Sequence, residues 1–215
     1  MHAVRFSRLI TAATAALERL PHFRFLRETQ GTQTPITLPM WFRQEMLGVN
    51  RGPYWPVHPS SMVSGSWRNI RAGIETSPGY MPGCYIQAIG TIEIGDYTQI
   101  GPGVGIISAN HVAEDNRRHK PSFVRVGAYC WIGMGAVILP GVELGDFTIV
   151  GAGAIVTRSA TEGYCVLAGN PAAVVKRLDP AKCVRNRSRF EYHGYIAAAD
   201  FPAFAEKNLN DGIKR

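Results

Sequence analysis

Aliphatic and compact residues recur along residues 126–175 with a period of six. Val126, Ile132, Ile138, Leu144, Val150 and Val156 stand six apart, and Gly127, Gly133, Gly145 and Gly151 follow four of them. The fifth place of each block is held by Cys130, Ala136, Val142, Thr148, Ala154, Ala160 and Val166. A helix repeats about every 3.6 residues and an isolated strand alternates, so neither produces this spacing. The period predicts a triangular solenoid in which three short strands make one turn. One aliphatic and one small side chain should point inward from each face, with Gly at or beside each corner.

A weaker version of the pattern extends backwards from this stretch. Ile70, Ile74, Tyr80, Ile86 and Ile92 hold the register across an irregular turn at 77–84, and the period is clean at Ile94, Ile100 and Ile106. It then fails. The next clean repeat begins at Val126, and the polar residues 112–125 read as an excursion thrown out from one corner. Insertions in repeat proteins fall on the face that carries function.

The flanks have a different character. Phe6, Leu9, Ile10, Ala13, Leu17 and Leu20 have helical spacing, with Pro21 as a stop. This helix either packs on a protein surface or rests as a basic amphipathic helix on a membrane. Residues 28–39 read as a linker and 40–48 as a short helix closed by Gly48. Asp179-Pro180 resembles a helix start, predicting helix through 180–192, and a second short helix is expected over 196–209. The expected class is mainly β. It comprises an N-terminal helical segment (1–49), a parallel β-helix (50–178) and a C-terminal helical tail (179–215).

The formal net charge is +7, yet residues 126–157 contain no Lys or Arg. Basic residues gather instead near the N terminus, in the excursion and after residue 175. That distribution argues against a nucleic-acid stripe and suits a phosphorylated ligand or an anionic surface. The four cysteines lack paired metal-type spacing and are expected to be reduced, with Cys130 and Cys165 in the core. Arg19 and Glu18 interrupt the Ala-rich start, so no signal peptide is expected and the cytoplasm is the expected compartment, with peripheral membrane contact left open.

The runs IGPGVGIISANH (100–111), CWIG (130–133), ILPGVELGD (138–146), VGAGAIVT (150–157) and AGNPA (168–172) resemble the left-handed β-helix hexapeptide acyltransferases. The likeness is closest to polysaccharide and sugar O-acetyltransferases, relatives of the galactoside and maltose enzymes. It implies a left-handed coil, acetyl-CoA as co-substrate, a sugar or glycan acceptor, no metal, and a homotrimer with active sites between subunits. It also implies that His111 is the catalytic base. On the residues alone, His111 ends the last regular strand before the excursion, and imidazole is the side chain whose unperturbed pKa suits a base near neutral pH.

Acetyl transfer from a thioester to a hydroxyl needs a base, donors for the developing oxyanion and two adjacent substrates. Asn110 either fixes a turn or bonds the acceptor. Glu114 and Asp115 either orient the imidazole, bind a sugar hydroxyl or stand solvated, and His119 is a second candidate. By resemblance, the amides near Met134 and Ala152 meet the thioester and pantetheine, and Trp131 flanks that arm. Arg158, Lys176 and Arg177 suit the coenzyme phosphates, and Asn170-Pro171 turns the chain there. The absence of a GxSxG pattern favours direct transfer over an acyl-enzyme. N-acetylation of an amino or nucleotide sugar or an antibiotic remains open on the same residues. A zinc carbonic anhydrase would need three converging histidines, and only His111 and His119 lie in the functional region. A non-catalytic scaffold would leave His111, the excursion and the cations without a role.

Overall fold

A computed structural model describes residue 11 and residues 14–213. Its centre is a coil of three parallel sheets visited in rotation. The first face stacks Met62–Gly65, Tyr85–Ala88, Gly105–Ile107, Val137–Ile138 and Ile155–Val156. The second stacks Ile70–Ala72, Thr91–Ile94, Phe123–Val126 and Val142–Leu144. The third stacks Gln99–Ile100, Trp131–Ile132, Thr148–Val150 and Cys165–Gly169, closed by the antiparallel strand Ala172–Arg177. Partners in neighbouring turns are eighteen residues apart, as in Ile132 with Val150 and Ile138 with Val156. Three six-residue faces account for that spacing, and all six aliphatic first-place residues from Val126 to Val156 are buried.

The glycines act differently from expectation. Gly127, Gly133 and Gly145 do not have a positive φ; a Cβ on Gly127 would lie 2.5 Å from the Asp146 amide nitrogen in the next turn. Close stacking of backbone, rather than bending, excludes a side chain there. Bending occurs two residues further on. At the third-to-first corner Gly103, Gly135 and Gly153 each have φ +67°. At the second-to-third corner the same left-handed role falls to Tyr97, Tyr129, Phe147 and Tyr164 (φ +46° to +57°). Their rings form a column with centroids 5.3, 5.0 and 5.2 Å apart.

Several expected boundaries move. Ile74 and Tyr80 are only half-buried and lie outside the strands, in the irregular 73–84 turn. The last turn is one residue short: Val150 pairs with Leu167, so Cys165 and Leu167 face inward and Val166 faces out. The excursion is a β-hairpin, Ala109–Val112 against Asp115–Pro121, and Phe123–Val126 has already rejoined the second face, with Val124 and Val126 in the core. Partners across it stand thirty-two apart, Ile94 with Val126 and Ile106 with Ile138. The fourteen extra residues therefore enter three positions earlier than the aliphatic period indicates.

The tail is not a continuous helix. Asp179 does accept a hydrogen bond from the Ala181 amide (3.0 Å), but only Pro180–Lys182 forms a 3-10 turn. Residues 183–191 run along the aromatic column. Arg185 lies over the Tyr129 and Phe147 rings (5.3 and 5.0 Å) and pairs with Asp146 at 2.7 Å, while Tyr97 donates to Glu191. A two-stranded hairpin (192–193 with 196–197) and the helix Phe201–Asn208 then cap the first turn, burying Phe201, Ala205 and Leu209 against Tyr54 and Trp55. At the other terminus Leu38–Trp41 and Phe42–Met46 are helical turns closed by Gly48 (φ +76°). The expected linker is packed down, with Thr29 and Ile36 buried. Of the first expected helix, 14–17 are helical and Leu17 meets the Phe25–Leu26–Ile36–Tyr192 cluster; Phe6, Leu9, Ile10 and Ala13 lie outside the described residues. Among the described residues no helix is long and apolar enough to cross a membrane.

Two stability predictions follow from this packing. Gly127→Ala should cost about 3 kcal/mol in denaturant unfolding, since the obstructing atom is backbone, whereas Gly151→Ala, with its nearest contact at 3.2 Å, should cost about 1 kcal/mol or less. Equal losses would contradict the stacking argument. His193 is buried, donates to the Ala72 carbonyl at 2.9 Å and stacks on Phe201, and burial lowers its pKa. A histidine that is harder to protonate when folded makes the unfolded state the better proton binder. Stability should therefore decline as pH falls below about 6.5. His193→Gln should flatten the part of that decline seen between pH 7 and 5 in thermal melts; an unchanged slope would assign it elsewhere.

Candidate functional site

The hairpin leaves the solenoid at the first-to-second corner, and its base is tied to the preceding turn. Gln87, buried in the first face, accepts from the Ala109 amide through Oε1 (3.0 Å). Ser108 Oγ donates to the Gln87 carbonyl (2.6 Å) and accepts from the Gly90 amide (2.9 Å). Antiparallel pairing then sets Asn110 opposite Lys120 and His111 opposite His119. In a ladder, opposed residues project to one side, and the two imidazoles meet with centroids 4.4 Å apart.

His111 is exposed, and its Nδ1 lies 2.5 Å from the Asn116 carbonyl oxygen. A carbonyl can only accept, so in the neutral ring Nδ1 carries the hydrogen and Nε2 keeps its lone pair. The imidazole is thereby preset with one basic nitrogen. Of the alternatives open to Glu114 and Asp115, bonding the imidazole is not the one seen in this structure. Asp115 instead pairs with Arg117 at 2.8 Å, which holds its carboxyl below the usual range, and Glu114 is exposed beside the hairpin tip. Asn116, Gln87 and Ser108 were not identifiable from the repeat, because two of them act through backbone carbonyls and none has a spacing signal.

A second group of residues lies along the third face and its far corner. Gln99, Trp131, Ile149, Val166 and Lys176 are successive partners in register, so they form one column; Trp131 is 56% exposed. At about 4.8 Å per strand, Trp131 and Lys176 are roughly 14 Å apart. Met134 (62% exposed) and exposed Ala152 occupy equivalent places in adjacent turns at the third-to-first corner. Asn170 is exposed at the turn between the last two strands, where Asn170-Pro171 is cis. Arg158 is exposed just past the Ile155–Val156 strand. Arg177 pairs with Glu162 at 3.0 Å, which leaves Lys176 as the less committed cation of the two. Burial pushes the Cys130 thiol up to about 12 and raises that of Cys84, so both are packing residues. Among the described residues no group of three or more His, Cys, Asp or Glu could hold a metal ion.

Within one chain the two groups are thus on different corners: His111 follows the first face, and Met134 and Ala152 precede it.

Comparison with known proteins agrees with this architecture. Residues 123–158 match the family model described as bacterial transferase hexapeptide (six repeats). Nodulation protein L of Rhizobium meliloti (strain 1021) is 44% identical over 97 residues, 42% of this chain and 51% of that protein. The galactoside O-acetyltransferase of Lactococcus lactis subsp. lactis (strain IL1403) is 32% identical over 92 residues, 41% of this chain and 44% of that one. The chain spans about half the length of the curated relatives it matches. A solved galactoside acetyltransferase in complex with coenzyme A superposes with a TM-score of 0.57 at 23% identity, over 82% of this chain and 88% of that one. Residues 123–158 therefore carry a bacterial transferase hexapeptide repeat, and the chain as a whole shares the fold of the solved galactoside acetyltransferase.

Proposed function

We propose that this protein transfers an acetyl group from acetyl-CoA to a hydroxyl of a sugar or glycan unit, with His111 as general base in a direct transfer. The observation that carries the reading is the hydrogen bond from His111 Nδ1 to the Asn116 carbonyl, which leaves Nε2 as a base at an exposed position. The names of its relatives, acetyltransferases of sugars among them, support the same chemistry.

Acetyl-CoA supplies an acyl group activated as a thioester. Nε2 of His111 takes the acceptor hydroxyl proton as the oxygen attacks the carbonyl carbon, and later returns it to the departing sulfur, so the imidazole ends as it began. The exposed third-face column fits the donor: Trp131 beside the pantetheine arm, the amides near Met134 and Ala152 along it, and Lys176 and Arg158 toward the phosphates, with Asn170 shaping that end. Arg177 contributes there only at the expense of its pair with Glu162. Asn110, His119, Glu114 and Asp115 surround the acceptor side. The same reading takes the coil as left-handed and the assembly as a homotrimer, as the resemblance implies. A second copy laid against the first face brings its donor corner to this chain's His111, which the separation of the two corners within one chain calls for.

His111→Ala should lower turnover about 1,000-fold with acetyl-CoA affinity changed less than about twofold, because general-base catalysis contributes roughly 100- to 10,000-fold. The assay compares sugar hydroxyl and amino acceptors side by side, with acetyl-CoA binding followed by calorimetry. Hydroxyl acetylation by wild type, lost in the variant, is expected; full activity in His111→Ala would remove the base from this position.

A further inference from the structure

We propose that the capped end of the solenoid carries a second ligand site, a carbohydrate-binding cleft that holds a sugar unit of a glycan independently of the His111 hairpin. The cleft has a volume of about 550 Å³, within the usual range of small-molecule sites. It forms where the N-terminal segment, the loop at 52–54, the 3-10 turn Trp67–Asn69 and the C-terminal hairpin and helix meet. None of the proposed catalytic or donor residues lines it.

Its walls are aromatic. Trp41, Trp67, Tyr195 and Phe204 are half-buried around buried Tyr54, which packs on Trp67 and Phe204 at 6.2 and 5.1 Å. Half-exposed ring faces in a concavity present apolar surface that a pyranose C–H face can cover. The phenols are committed elsewhere: Tyr54 accepts from the Ala72 amide, and Tyr195 donates to Gln44.

Several other polar groups in the same cleft have no such commitments. Among the described residues, Glu45 and Asp200 make no side-chain hydrogen bond or ion pair, although both line the space. Asp200 stands at the start of the helix Phe201–Asn208, yet its carboxylate makes no capping bond. The Trp41 and Trp67 indole N–H groups are also without hydrogen-bond partners among the described residues, and Arg24 contributes a guanidinium whose Nε is held by the Pro21 carbonyl. Free acceptors and free donors around apolar ring faces match a neutral polyhydroxylated ligand. A purely apolar ligand would strip water from two carboxylates without replacing its hydrogen bonds. A strongly charged ligand of either sign would meet a like charge, at Arg24 or at the carboxylates.

The test is calorimetric titration of the full chain with chitotetraose, maltotetraose and cellotetraose, repeated on Glu45→Gln, Asp200→Asn, Trp67→Ala and His111→Ala. At least one glycan should bind wild type and His111→Ala equally, and each carboxamide variant should weaken it at least about fivefold with an unchanged melting temperature. The carboxamide variants keep the test independent of Trp67→Ala, which risks unfolding because Trp67 packs on the core. Failure of all three glycans to bind, or binding that ignores the cleft variants, overturns the proposal. Acetyl-CoA binding and acetylation of a monosaccharide, measured on the same samples, should survive the cleft substitutions. Loss of acetyl transfer in wild type would refute the acetyltransferase reading while leaving this cleft standing.

Discussion

The backbone of one turn lies against the backbone of the next with no room for a methyl group between them, and the rest of the molecule answers to that constraint. A Cβ at Gly73, Gly95, Gly127 or Gly145 would come within 2.6 Å of main-chain atoms in the neighbouring turn. The close fit enforces an eighteen-residue turn and so the six-residue period. It also dictates where extra chain can go. Residues added within a face would displace every later inward side chain to the surface, whereas residues added at a corner leave the stack in register. The fourteen extra residues enter at a corner, and Ile94 and Val126 still pair as neighbours. Chain that leaves the regular stack is thus confined to a corner, and the regular faces remain available as a rigid track.

The glycine corner and the aromatic corner solve the bending problem by different means. Gly103, Gly135 and Gly153 adopt the left-handed conformation at little steric cost. Tyr97, Tyr129, Phe147 and Tyr164 adopt it at a cost of about 1 kcal/mol or more each. Their stacked rings, and the guanidinium of Arg185 laid across two of them, offset that strain. In return the column gives the C-terminal tail a path from the last turn back to the first. The same tail closes the open end of the core with Phe201 and links to the N-terminal segment through the hydrogen bond from Tyr192 to Glu28. The described N-terminal segment and the C-terminal hairpin and helix thereby meet at one end, where the aromatic cleft lies.

What the sequence made legible was the part governed by repetition. Ile132, Ile138 and Val150 announce the inward face because each repeats the same environment, and a break in that sequence announces the insertion. Its edges were harder to see: Ala109 and Ser108 continue a plausible strand, while Phe123 to Val126 alternates correctly but lies before the first Gly of the clean repeat. Asp179-Pro180 carries a genuine helix-start signal, and the Asp179 cap forms. The helix ends after one turn because Arg185, Arg187 and Glu191 find partners on the corner column and in each other. The orienting partner of His111 was invisible for a simpler reason. It is a main-chain carbonyl, which every residue possesses, so only the path of the hairpin could single out Asn116.

The central claim is that this hairpin holds His111 as a base with a predetermined basic nitrogen. The most direct measurement is long-range nitrogen–proton correlation NMR on the imidazole of His111 in the full chain above its titration, assigned by comparison with His111→Ala. The account predicts the neutral ring protonated at Nδ1, with Nε2 bare, the arrangement that the Asn116 carbonyl imposes. A ring protonated predominantly at Nε2 would contradict it, since the nitrogen assigned to proton abstraction would already be occupied.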